Sequence, residues 1–213
     1  MRRRISGSAA RSARKPEAPP LDRAAINALF DAWADDGDAM GMDGLVAMCE
    51  ALGIDPESDV RLLALCWKLG AKQPAMVLRE EFAEGMERIG CDSLEKLTAL
   101  VLALDPASLE RRAFREFFKF VFLFSREGTH RTIEKDIVAA LLPIAIGDRS
   151  AHTAPFLAFL ETASTTRVTL DQWCSFLEFS DKVGPDFEGY EEDGAWPLLL
   201  DEYVEQARAD AAA

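Results

Sequence analysis

From Leu21 onward, apolar residues recur at helical spacing almost without a break. Ile26, Leu29, Phe30 and Trp33 form one stripe, Leu45, Met48, Cys49 and Leu52 a second, and Leu62, Leu65, Cys66 and Leu69 a third. Asp55-Pro56 and Asp105-Pro106 each read as an N-cap before a first-turn proline. Asp92, with Glu95 three residues on, reads as a cap before Leu94, Leu97 and Leu100. Residues 107–125, rich in Phe114, Phe117, Phe118, Phe122 and Phe124, predict a helix buried on nearly all sides. Further helices are expected at 132–146, 153–163, 169–182 and 195–207, with Gly147 and Gly184-Pro185 as stops. Neither a period-two strand pattern nor a Gly-rich phosphate loop is evident. The pattern predicts an all-α, multi-helix fold of about ten helices.

Charge divides the chain. The 213 residues carry 24 Lys and Arg against 37 Asp and Glu, a net of -13. Residues 1–20 hold Arg2, Arg3, Arg4, Arg11, Arg14 and Lys15 against Glu17, and are small, Pro-rich and aperiodic. They predict a disordered basic tail, with nuclear import as the alternative use of its basic clusters. The helical domain is expected over 21–207, with a flexible tail at 208–213. That body is acidic enough to repel nucleic acid and to favour basic partners. Cys49, Cys66, Cys91 and Cys174 sit among apolar residues with no CxxC pair, and read as buried thiols in a reducing compartment. No apolar h-region follows the first residues, Arg2 excludes N-myristoylation, and VAALLPIAI at 138–146 is too short to span a bilayer. A monomer off the membrane, in the cytoplasm, the nucleus or both, is the expectation.

Catalytic chemistry is hard to find. His130 and His152 lie in polar surroundings and read as surface loop residues; neither has a partner at zinc-ligand spacing. No nucleophile elbow or Walker loop appears, so neither an enzyme nor a cofactor is expected. Two stretches invite a calcium reading. In DDGDAMGMDGLV at 35–46, with Met42 as the central apolar residue, Gly37 and Ala39 fall on ligand places and Val46 replaces the bidentate Glu. GAKQPAMVLREE at 70–81 keeps Glu81 but offers Gly70, Lys72 and Pro74 as ligands. Both read as EF-hand-like helix–loop–helix units without calcium ligands, with Met42 and Val77 placed for loop pairing.

The stretch TLDQWCSFLEFSDKVGPDFEGYEEDGAWPLLLDEYVE at 169–205 closely resembles the C-terminal half of the potentiating-neddylation domain of the defective-in-cullin-neddylation (DCN1-like) family. MGMDGL at 40–45, CWK at 66–68, EEFAEGM at 80–86, GCDSLEKL at 90–97 and FREFFKFVFLF at 114–124 continue the likeness, which covers roughly residues 21–207. The resemblance implies an all-helical fold with calcium-free EF-hand-like pairs. It also implies a non-catalytic factor that holds a cullin's C-terminal winged-helix region near a charged conjugating enzyme, so that a ubiquitin-like modifier passes to a cullin lysine.

Two surfaces follow from the likeness. The family's Asp–Ala–Asp cullin patch matches Asp171, Ala195 and Asp201. From the residues alone, Asp171 reads as first-turn dipole stabilisation beside a Thr169–Gln172 capping box. Around the patch, residues 178–205 hold ten acids against the single base Lys182, a field suited to a basic partner. The family's pocket for the acetylated N-terminal methionine of the conjugating enzyme matches Met42, Leu45, Leu62, Leu65, Phe124, Ile133, Leu141 and Ile144. Pro74 and Leu141 depart from the family pattern, which has a polar side chain and an aromatic there. Trp196 reads as core, with Tyr190 packed nearby and its hydroxyl in water. The alternative function is a calcium-independent EF-hand-like peptide-binding module for another helical ligand. A helical enzyme with an unrecognised site is the third.

Overall fold

The computed structural model describes residues 20–126, 128 and 130–212, so the basic stretch 1–19 lies outside it. Ten α-helices and four short strands make up the described chain. The N-terminal half runs α1 (Arg23–Trp33), β1 (Ala39–Met40), α2 (Met42–Leu52), α3 (Val60–Leu69), β2 (Val77–Leu78), α4 (Arg79–Ile89) and α5 (Leu94–Leu102). The C-terminal half runs α6 (Arg111–Ser125), β3 (Thr132–Glu134), α7 (Lys135–Ile146), α8 (Thr153–Thr162), β4 (Arg167–Thr169), α9 (Leu170–Lys182) and α10 (Leu198–Ala211). The fold is all-α, and no described helix is long and apolar enough to cross a membrane.

The strands correct the expectation of none. β1 and β2 pair antiparallel, Met40 opposite Val77, and β3 and β4 pair likewise, Ile133 opposite Val168. Each ties two helix–loop–helix units together through loops. Segments of two or three residues give no alternation to read. Met40, not Met42, meets Val77, because Met42 already begins α2 and is 62% exposed. The acids of these loops are used internally. Asp35 accepts from the Gly41 and Gly44 amides at 2.7 and 2.9 Å, capping α2, whose own N-cap Gly41 has no side chain. Those backbone bonds hold its carboxyl below the usual range. Glu81 accepts from the Leu78 amide and lies 3.3 Å from the Lys72 ammonium, a cation supplied by the loop itself.

Other starts shift as well. Asp55 opens a turn and Asp59 is the true cap of α3; Ser93, not Asp92, caps α5. Asp105-Pro106 begins a single 3-10 turn before α6. α6 is not buried all round: its phenylalanines face inward while Arg111, Arg112, Arg115 and Lys119 stay exposed. α10 runs to Ala211, past the boundary expected at 207.

Two apolar clusters form the interior. One holds α1–α5 around Phe30, Met48, Leu65 and Phe82, and the other packs α6–α10 around Phe118, Trp173, Phe179 and Tyr203. α3 lies between them, with Leu65 in the first and Ala64 in the second. Cys49, Cys66 and Cys91 are buried as expected, and burial pushes the first two thiols up to about 11 and 12. Cys174 is only half-buried, on the flank of α9 near Lys119.

Candidate functional site

The site is built on α9, α10 and the loop between them. α9 starts with the expected capping box: Thr169 Oγ1 accepts from the Gln172 amide, and Gln172 Oε1 accepts from the Thr169 amide. Asp171 is therefore free of capping duty and points to solvent in the first turn. Helical spacing puts Asp171, Ser175, Glu178 and Lys182 along one face. The helix ends at Val183, and the chain returns through tight turns, with Phe187 at φ 61° and Gly189 at φ 86°. Pro197 N-caps α10, accepting from the Leu200 amide at 2.8 Å.

His152 holds this loop from below, and it is buried rather than a surface residue. Its Nε2 lies 3.1 Å from the Val183 carbonyl and its Nδ1 3.0 Å from the Tyr203 hydroxyl. A carbonyl only accepts, so Nε2–H donates to Val183, while Nδ1 and the Tyr203 hydroxyl share the second hydrogen bond. Phe179, Phe187 and Tyr203 surround the ring. His152 thus joins the start of α8, the end of α9 and the middle of α10. His130 is exposed, as read from the sequence.

Above this anchor, Ala195 is exposed and lines a cleft of about 410 Å³ with Glu178, Lys182, Glu191 and Trp196. Asp201 is half-buried and lines a second cleft of about 350 Å³ with Tyr190, Glu192, Glu205 and Arg208. Asp171 lines neither, standing at the far end of the α9 face. Trp196 is half-buried, edge-on to Phe179 at 5.5 Å, with the Lys182 ammonium over its ring. The Tyr190 hydroxyl does not stay in water: it donates to Asp201 Oδ1 at 2.6 Å. Burial, then this bond and the charge of Asp201, push Tyr190 up to about 12. Arg208 lies over the Tyr190 ring and pairs with Glu192 at 3.0 Å, closing the loop from outside.

The eight apolar residues are divided. Leu45, Leu65 and Phe124 are buried in the N-terminal cluster, with Leu62 packed against it. Ile133 belongs to the C-terminal cluster, with Leu141 against it, and Ile144 is half-buried. Met42 stands at the surface. Phe120 packs on both clusters and stacks on Phe124 at 5.0 Å, so the set lies across the seam. Sequence reasoning missed His152, Tyr190 and Arg208 as supports of the acidic surface. Among the described residues no group of three or more His, Cys, Asp or Glu is placed to hold a metal ion.

The arrangement is a helical scaffold that displays an acid-lined C-terminal surface. In keeping with it, a family model described as cullin binding matches residues 96–206, which include Asp171, Ala195 and Asp201. The chain is 35% identical over 176 residues to DCN1-like protein 4 of Danio rerio, covering 83% of this chain and 62% of that protein. It is 33% identical over 178 residues to DCN1-like protein 5 of Rattus norvegicus, covering 84% and 75%, and 31% identical to DCN1-like protein 4 of Drosophila melanogaster, covering 82% and 70%. The chain belongs to the DCN1-like family.

Proposed function

We propose that this protein is a non-catalytic accessory factor for cullin neddylation. It holds the C-terminal winged-helix region of a cullin on the acidic surface of α9, α10 and their loop. It also holds the acetylated N-terminus of the conjugating enzyme at the apolar seam, acting in the cytoplasm, the nucleus or both. Restraining two reactants raises their effective concentration, so the factor needs no nucleophile of its own. The observation that carries the reading is the cullin-binding match across 96–206, the region that displays exposed Ala195 in the wall of an acid-lined cleft.

Charge supports the first contact. Glu188, Glu191, Glu192, Asp193, Glu202 and Glu205 are all exposed around Ala195 and Asp201. A basic cullin face gains mainly in on-rate from such a field. Apolar chemistry supports the second. An unpaired amine buried beside Leu65 and Phe124 would cost several kcal/mol, and acetylation removes that charge. Burying the methionine side chain then contributes ~1.5–3 kcal/mol.

Paired titrations test the reading. One measures a cullin C-terminal domain against wild type and Asp201→Lys, and the other an acetylated against an unmodified conjugating-enzyme N-terminal peptide. Binding lost on charge reversal and on removing the acetyl group is expected. Indifference to both would sink the proposal.

A further inference from the structure

The cleft beside Ala195 has an occupant drawn from the chain itself. Two glycines that line it leave no room for a side chain. A Cβ on Gly189 would lie 2.9 Å from the Lys182 carbonyl oxygen, and one on Gly194 3.0 Å from the Trp196 ring and 2.8 Å from the Glu191 carbonyl oxygen. Glu178, Glu191 and the Trp196 indole line the cleft. A carboxylate beside an aromatic face is the pairing that receives an ammonium or guanidinium. The Lys182 ammonium already stands there, 2.7 Å from Glu178 and 5.7 Å from the centre of the Trp196 ring. Lys182 first, then the charges of Arg115 and Arg111 on α6, hold the Glu178 carboxyl below its usual range, while Glu191 forms no ion pair among the described residues.

We propose that this cleft takes a lysine or arginine side chain from the basic partner, and that Lys182 is its built-in competitor. The incoming cation lies over Trp196 and between Glu178 and Glu191, and Lys182 swings into solvent on its flexible stem. The displaced pair is about half exposed, so releasing it costs little. Lys182 thereby lowers affinity for every basic partner and leaves binding to those whose remaining contacts reach Asp171 and Asp201. The inference rests on the acidic surface being the cullin-binding one, as proposed above.

The test is the affinity of a cullin winged-helix domain for variants of the full chain. Lys182→Met keeps an apolar stem against Trp196 and removes the charge. It is expected to tighten binding about two- to fivefold, the range set by one exposed ion pair, with no change in melting temperature. Lys182→Arg keeps the competitor and should stay close to wild type. Adding Glu178→Gln to Lys182→Met should take the gain away, because it removes the carboxylate that the partner's cation would use. If the gain survives that second change, Lys182 acts only through the general field and the cleft assignment is overturned. If wild type binds and Lys182→Met binds equally or more weakly, the inference falls while the proposed function stands. If neither binds, both fall together.

Discussion

The N-terminal cluster is packed with soft side chains, Met40, Met48, Met86, Cys49, Cys66 and Cys91 among leucines. Its C-terminal counterpart is richer in aromatic rings, and Trp173, Tyr203 and His152 within it are hydrogen-bonded. Trp173 Nε1 donates to the Phe118 carbonyl at 2.9 Å while its ring stacks on Phe118 at 4.5 Å, and Tyr203 meets His152. Thioethers fill irregular space without fixing orientation, whereas a hydrogen-bonded ring has one seat. Each candidate surface takes its shape from the interior it sits on. The acidic loop rides on the rigid aromatic half. Most of the apolar set lies within or against the two interiors, so changing it perturbs stability as well.

The largest expected effect breaks the aromatic half. Trp173→Ala should cost ~3–5 kcal/mol, as for other buried large-to-small changes, read from urea unfolding. His152→Phe comes next, at roughly 2–4 kcal/mol, because it leaves the Val183 carbonyl and Tyr203 hydroxyl unpaired in an apolar interior. It should also weaken cullin binding with no change to a surface acid. Loss of stability without loss of binding would show that the loop keeps its shape unaided.

That histidine marks the limit of what the chain reveals by itself. The stripes at 26–33, 45–52 and 62–69 became α1, α2 and α3, since a helix face repeats within the segment that forms it. The capping box at Thr169 is equally local. His152, in contrast, follows Asp148, Arg149 and Ser150, polar neighbours that suggest a wet site; its partners are 31 and 51 residues away. Tyr190 and Asp201 are joined only because a loop folds back on α10. The acids of the first loop were visible, but their use as a cap for α2 depends on where Gly41 and Gly44 lie. For the apolar set, composition shows that a residue is oily and not whether its neighbours cover it.

The next effect sharpens the comparison inside that set. Leu65 is fully buried, so Leu65→Ala should cost ~2–5 kcal/mol. Met42→Ala, at an exposed helix start, should stay within ~0.5 kcal/mol. If the acetylated peptide uses this seam, Met42→Ala weakens its binding at constant stability, a separation that Leu65→Ala cannot provide. Isothermal titration with the peptide, beside thermal melts of each variant, checks both.

The smallest perturbation compares one tyrosine at the acidic surface with one in the core. The chain has two, Tyr190 and Tyr203, and both are pushed up to about 12. Burial alone acts on Tyr203, while Asp201 adds to the effect on Tyr190 through its bond and charge. Unfolded tyrosine titrates near ~10, so the native state retains its phenolic protons where the unfolded chain releases them. The stability this gives is fully present below pH ~10 and is lost as pH rises toward 12. Ultraviolet titration of the native protein should therefore show almost no tyrosinate at pH ~10, and unfolding in urea at that pH should release it. Asp201→Asn keeps an acceptor for the hydroxyl but removes the charge. Half of the tyrosinate amplitude should then move to lower pH, and the half from Tyr203 should not. If both halves move, Asp201 is coupled to the aromatic interior, and the rigid core and the surface patch are not separate. If neither moves, the bond from Tyr190 does not hold Asp201 in place, and the carboxylate is as free as Asp171.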